Sequence, residues 1–193
     1  MTLALWRSHL AGTLHRNRSL PVSRYLQLAT VRADGRPANR TVVFRGFLED
    51  TNQLKFITDL RSQKVEEINI YPWGEICWYF PNTREQFRIA GKLVLVGAEY
   101  PDAALCASRR RAWQELSEAA RVQFAWPHPG ANRAVSSAFE PAAPDAIEPG
   151  ANFCLLLLEP ETVDLLELRG EPQNRSLYLR DEAGNWSVRS INP

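Results

Sequence analysis

Histidine, cysteine, lysine and long apolar runs are all scarce in this chain, and each scarcity removes a class of function. The three histidines, His9, His15 and His128, are too dispersed to pattern a metal cluster, and neither an HExxH run nor a Ser-His-Asp order is present. Cys77, Cys106 and Cys154 show no CxxC spacing. An odd, scattered set argues against a disulfide framework and against a thiolate zinc site, so reduced, buried thiols are expected and no metal. No stretch approaches the ~18 consecutive apolar residues of a membrane span. The opening MTLALWRSHLAGTLHRNR also lacks the apolar core of a signal peptide, so a cytoplasmic protein with no membrane partner is expected. The glycine-rich turns of dinucleotide and P-loop sites, GxGxxG and GxxxxGK[ST], are missing too.

What is present is ordinary globular usage. The 193 residues are 45% hydrophobic and 23% charged, which fits a single domain over 1–193 and excludes disorder. Lys+Arg 23 against Asp+Glu 22 leaves a net charge of +1, without the excess of a dedicated nucleic-acid binder. Lysine stands only at Lys55, Lys64 and Lys92, and every other basic position is arginine. Arginine pairs its planar fork with phosphate or carboxylate, but a coding preference explains the bulk skew, so only the placement of particular arginines carries function.

Along the chain, Leu3, Leu5, Trp6, His9, Leu10, Thr13 and Leu14 follow helical spacing and predict an amphipathic N-terminal helix within residues 1–20. From Arg24 the texture becomes strand, with a turn at Asp34-Gly35 and a return strand NRTVVFRGFLED. NQLKFITD is a third strand, RSQKVEEINIYP a short helix turning Val65, Ile68 and Ile70 inward, and EICWYFP and EQFRIAGKLVLVG are further strands. Helical pattern occupies Pro101 to Trp126. Residues 127–150 form a long Pro/Ala/Gly-rich loop, and strands resume over 151–193. Strands joined by turns rather than crossover helices predict an α+β protein on an antiparallel barrel with flanking helices.

The most informative stretch is FITDLRSQKVEEI, where a strand ends at Thr58 and feeds a helix bearing Lys64 in its first turn. Free backbone N–H groups at such a junction bind anions, and Thr58, Arg61, Ser62, Gln63 and Lys64 add further donors. The plainer alternative is that Asp59 or Ser62 caps the helix while Arg61 and Lys64 are solvated. In ANRTVVFRGF, Arg40 and Arg45 are five residues apart and so face opposite ways on a regular strand; both serve one site only if a bulge or the strand end re-aims one, or if the site is shared with a second subunit, and the plainer alternative is two surface arginines. Trp78, Trp113 and Trp126 read as core or interface anchors, and Arg109, Arg110 and Arg111 as a helix face with one member available to turn inward.

The paired segments Arg40-Thr41-Val42-Val43-Phe44-Arg45 and Phe56-Ile57-Thr58-Asp59-Leu60-Arg61-Ser62-Gln63-Lys64 resemble the FMN-binding motifs of pyridoxamine 5′-phosphate oxidases. Similarity runs from about Leu26 to Trp126 and returns at Asn174-Arg175-Ser176-Leu177-Tyr178-Leu179-Arg180, Trp186 and Pro193. The resemblance implies a split β-barrel of Greek-key type, and a homodimer with FMN in the subunit interface. It implies that Arg40 and Lys64 hold the flavin phosphate, with Thr41, Val42, Arg45, Ile57, Thr58, Arg61, Ser62 and Gln63 around it. Gln86 would then contact the flavin ring and Arg175 would lie near it. The implied chemistry is hydride transfer from a small-molecule substrate to the flavin, with reoxidation by oxygen.

The departures bear on the substrate. Gln63 stands where the family has arginine, with Arg61 a possible substitute; Arg45 stands at a substrate-phosphate lysine, and Trp113 near a tyrosine. Glu171 and Gln173 occupy the positions of a substrate-contacting arginine and histidine, and Leu165 or Leu166 replaces an aromatic flavin neighbour. Flavin binding is therefore the firmer expectation and vitamin B6 oxidation the weaker one. The alternatives are a flavin reductase or non-enzymatic binder of another planar cofactor, and a barrel module for nucleic acid or protein.

Overall fold

The computed structural model describes residues 3–193. Helix α1 (Leu5–Arg16) turns Trp6, Leu10 and Thr13 inward, and Trp6 meets Trp186 edge-on at 5.5 Å. The first two residues of the expected N-terminal helix lie outside the described residues. Strands β1 (Tyr25–Val31) and β2 (Pro37–Val43) form the expected hairpin, in which Gly35 adopts a φ of +81° that the turn requires. Then come β3 (Leu54–Asp59), α2 (Gln63–Ile70), β4 (Trp73–Phe80) and β5 (Glu85–Val96). Helix α3 (Ala103–Gln114) is capped by Asp102, which accepts from the N–H groups of Ala104 and Leu105, and α4 (Glu118–Val122) by Ser117. Strands β6 (Phe153–Glu167), β7 (Asn174–Arg180) and β8 (Trp186–Ile191) complete the chain.

All ladders are antiparallel, in the order β2-β1-β4-β5-β6-β7-β8, with β3 added to β6. This is the α+β split barrel with flanking helices. Its organiser is β6, whose fifteen residues pair with β5 over most of their length, with β3 through Phe153–Leu158 and with β7 through Thr162–Glu167. The two halves meet at a bulge where Gly91 faces Pro160, and a Cβ on Gly91 would lie 2.0 Å from the Glu159 carbonyl oxygen. Beyond the end of β2 the chain joins β3 through Arg45 N–H to Lys55 O (2.9 Å) and Lys55 N–H to Gly46 O (2.8 Å).

Inside, Leu28, Phe44, Phe56, Ile76, Trp78, Phe80, Phe87 and Ile89 form the barrel core, and the Trp78 indole donates to the Ser23 carbonyl at 2.9 Å. A second cluster under α3 joins Trp113 to Phe153, Leu155 and Leu157. Residues 127–150 contain one short 3₁₀ turn, Ser136–Phe139, and are fastened to α3 by Trp113 Nε1 to Asp145 O (2.8 Å) and Arg110 to Glu148 (3.1 Å). Two sequence expectations are corrected. Ile70 ends α2 at 52% exposure rather than facing inward, because Val65, Glu67 and Ile68 already occupy the buried side. Of the three free cysteines only Cys154 is buried, since Cys77 and Cys106 lie at half-covered positions. No helix among the described residues is long and apolar enough to cross a membrane.

Candidate cofactor site

The strand-to-helix junction is built as an anion receptor. Strand β3 ends by burying Thr58, and the chain turns through 59–62 into α2. Neither candidate cap acts as one. Asp59 is engaged by the Arg61 N–H (2.8 Å) and guanidinium (2.7 Å), and the Ser62 side chain makes no cap hydrogen bond. Instead Lys64 Nζ donates to Thr58 Oγ1 at 2.9 Å and to Ser62 Oγ at 3.1 Å. Burial, and then repulsion from Arg40, push the Lys64 ammonium below the ordinary lysine value. A half-buried cation whose hydrogen bonds among the described residues go to two hydroxyls, beside an uncapped helix N-terminus, offers charge and free donors to an anion.

Arg40 reaches the same region from β2, where it stands opposite Leu28. Its Nη1 donates to the Leu28 carbonyl (3.2 Å) and to Thr30 Oγ1, and its Nη2 to Glu67 Oε2 (2.7 Å). The Nε edge of the guanidinium has no partner among the described residues, and that edge matches two phosphate oxygens.

A second group of expected residues lies on the outer face of the sheet. Tyr79, Gln86, Leu166, Arg175 and Ile191 pair in succession across β4 to β8. Leu165 is buried in the core, so Leu166 is the leucine that sits between Gln86 and Arg175. Arg175 is held by Asp164 through Nε (3.0 Å) and Nη2 (2.7 Å). Arg40 instead shares its row with Leu28, Ile76, Ile89 and Val163, all buried. Arg40 and Gln86 therefore stand on opposite sides of one sheet.

Other expected residues are placed differently. Arg45 is exposed and lines a separate pocket of about 200 Å³ with Arg24, Lys55, Ala112, Glu115 and Leu116. Arg24 and Lys55 were missed in the sequence; the available signal was Lys55, a cation alternating with buried Leu54 and Phe56. Arg61 does not replace the missing arginine at Gln63. Its donors go to Asp59 and to the carbonyls of Trp126 (3.0 Å) and Phe124 (3.3 Å), which ties the junction to the segment after α4. Gln63 and Thr41 are exposed, Val42 packs on the barrel core, and Ile57 on the second cluster. Trp113 is fully buried and cannot touch a substrate, because Phe124, Phe153 and the Asp145 carbonyl enclose it. The arginine run is likewise committed: Arg109 to the carbonyls of Phe153 and Gly150 (both 2.9 Å), Arg110 to Glu148, and Arg111 to Glu49 (2.7 Å).

Residues 3–97 match the family model described as pyridoxamine 5′-phosphate oxidase, FMN-binding domain. A pyridoxine/pyridoxamine 5′-phosphate oxidase 2 of Arabidopsis thaliana is 40% identical over 198 residues, covering 99% of this chain and 98% of the relative. The chain belongs to the pyridoxamine 5′-phosphate oxidase family. FMN is accordingly its cofactor, and the junction fits one: an uncapped helix end, an ammonium hydrogen-bonded to two hydroxyls and the nearby Arg40 guanidinium are donors suited to a phosphomonoester. A solved family structure, a pyridoxamine 5′-phosphate oxidase-related, FMN binding protein of Nostoc punctiforme, is 63% identical, covers 100% of both chains and superposes with a TM-score of 0.97. PhzG from Burkholderia lata, at 20% identity and a TM-score of 0.78 over 96% of this chain and 90% of its own, shares the fold.

Proposed function

We propose that this family member is an FMN-dependent oxidoreductase that works as a homodimer, with the flavin between subunits and an anionic small molecule as substrate. The observation that carries the reading is the placement of Arg40 and of Gln86 with Arg175 on opposite sides of one sheet. One flavin meets both groups when the phosphate is held by one chain and the ring lies against the outer face of a second. That outer face exposes Tyr25 (49%), Trp73 (50%) and Tyr79 (48%), apolar area that a second copy would cover. Sedimentation at low micromolar concentration is expected to give about twice 21.9 kDa. A monomer binding flavin stoichiometrically would rule out the shared site.

When bound, FMN supplies the two-electron acceptor, and the chain positions and charges its surroundings. Arg40 and Lys64 would neutralise the phosphate, Gln86 would offer an amide to the ring, and Asp164 would keep the Arg175 cation in place. Arg24, Arg45 and Lys55 form a cationic pocket suited to a substrate phosphate or carboxylate. Glu171 and Gln173 supply no cation, and the lost charge-assisted bond costs about 1.5 to 3 kcal/mol. Turnover of pyridoxamine 5′-phosphate under air is therefore expected to be weak, with Arg45→Ala raising KM about tenfold or more. Fast turnover untouched by Arg45→Ala would overturn this assignment of the pocket.

A further inference from the structure

Glu67 has no evident place in a site for an anion. It lies one helical turn after Lys64 on α2, is 3% exposed, and carries a carboxylate into the neighbourhood of Arg40 and Lys64. A buried negative charge there opposes a phosphate, so its presence needs a compensating role. Its contribution to stability is also incomplete: Oε2 accepts from Arg40 Nη2 at 2.7 Å and from Thr30 Oγ1, while Oε1 is buried with no partner among the described residues.

The geometry explains the arrangement. Glu67 Oε2 and Thr30 Oγ1 both engage the Nη end of the Arg40 guanidinium, and Thr30 donates to the same Oε2 that Arg40 meets. The Leu28 carbonyl adds a further acceptor at Nη1. These contacts fix the plane of a long, otherwise rotatable side chain at one end and leave Nε without a partner among the described residues. We propose that Glu67, with Thr30, is a positioning residue for the cofactor phosphate: it holds Arg40 with its Nε edge presented to the anion. Helix α2 then acts at two levels, offering Lys64 directly and setting Arg40 through Glu67. The net charge of the trio is +1, so the phosphate is met by oriented hydrogen bonds as well as by charge.

The proposal rests on the reading of Arg40 as a phosphate ligand, and titrations of FMN and riboflavin into the flavin-stripped full chain separate the two. Wild-type protein is expected to bind FMN far more tightly than riboflavin; equal affinities would remove the phosphate role of Arg40 and this proposal with it. Given that preference, Glu67→Ala is expected to weaken FMN about tenfold to a hundredfold while riboflavin stays within about twofold. Glu67→Gln keeps an acceptor for Arg40 Nη2 and is expected to remain within about threefold of wild type for FMN. Thr30→Val, which removes only the hydroxyl, is expected to reproduce the FMN-selective loss more mildly and carries the comparison if Glu67→Ala does not fold. Unchanged FMN affinity in Glu67→Ala and Thr30→Val, or an equal loss of FMN and riboflavin, would overturn the positioning role.

Discussion

Alanine at both Arg40 and Lys64 is expected to weaken FMN binding by roughly 10²- to 10⁴-fold, since each charge-assisted bond is worth about 1.5 to 3 kcal/mol and 1.4 kcal/mol is tenfold. The low end is expected, because the cations repel one another and removing one relaxes the other. Riboflavin, which lacks the phosphate, is expected to change by less than about twofold in the same fluorescence titration. A second arm varies pH. The Lys64 ammonium sits below its ordinary 10.5 through burial and the nearby Arg40 charge, and a bound phosphate raises it again, so binding takes up a proton where free Lys64 is neutral. FMN affinity is therefore fullest between the phosphate's own second pKa of about 6 and the lowered Lys64 value, and falls as pH rises through the latter, a decline absent in Lys64→Ala. Parallel losses of FMN and riboflavin, or a flat alkaline profile in wild type, would show that the junction does not hold the phosphate.

Gly91→Ala is expected to cost about 3 kcal/mol or more, the upper range for overpacking, because the new methyl would lie 2.0 Å from the Glu159 carbonyl oxygen and 2.9 Å from the Pro160 Cα. These obstacles are backbone atoms at the bulge joining the two halves of β6, and they cannot swing aside as a side chain does. For a chain of this size that loss lowers Tm by roughly 6 to 12 °C. Gly97→Ala, whose added atom would make only an ordinary 3.6 Å contact with Leu60, is the matched control. A Gly91→Ala melt coincident with wild type would show that the bulge yields freely.

Local chemistry was readable in the sequence, and long-range pairing was not. The Asp34-Gly35 turn, the alternation in β3 and the Thr58 to Lys64 junction are written in neighbouring residues, and the structure places them as expected. The sequence allows one of Arg109, Arg110 and Arg111 to turn inward without saying which, and the Gly150 and Phe153 carbonyls, distant in sequence, draw Arg109 in. Arg61 was diverted by carbonyls after α4 in the same way. Arg24 and Lys55 join Arg45 only because the barrel seam brings three strand ends together, an adjacency no spacing rule exposes. Nothing in the sequence sets Glu67 apart from the neighbouring Glu66. The burial of Glu67 follows from the side of α2 that meets β1, and that depends on tertiary packing.

The pairing of Thr58 with Cys154 bears on how the protein is made. The phosphate junction is encoded in the first third of the chain, but β3 has no regular ladder until β6 has left the ribosome, since its strand partner comes from the last third. The hairpin of β1 and β2 and the ladder of β4 and β5 can form early during synthesis, whereas closure at β3 must await a distant segment. Cofactor capture is thus a late event in the life of each chain, and a truncation before β6 would leave the phosphate ligands present in sequence and unassembled in space.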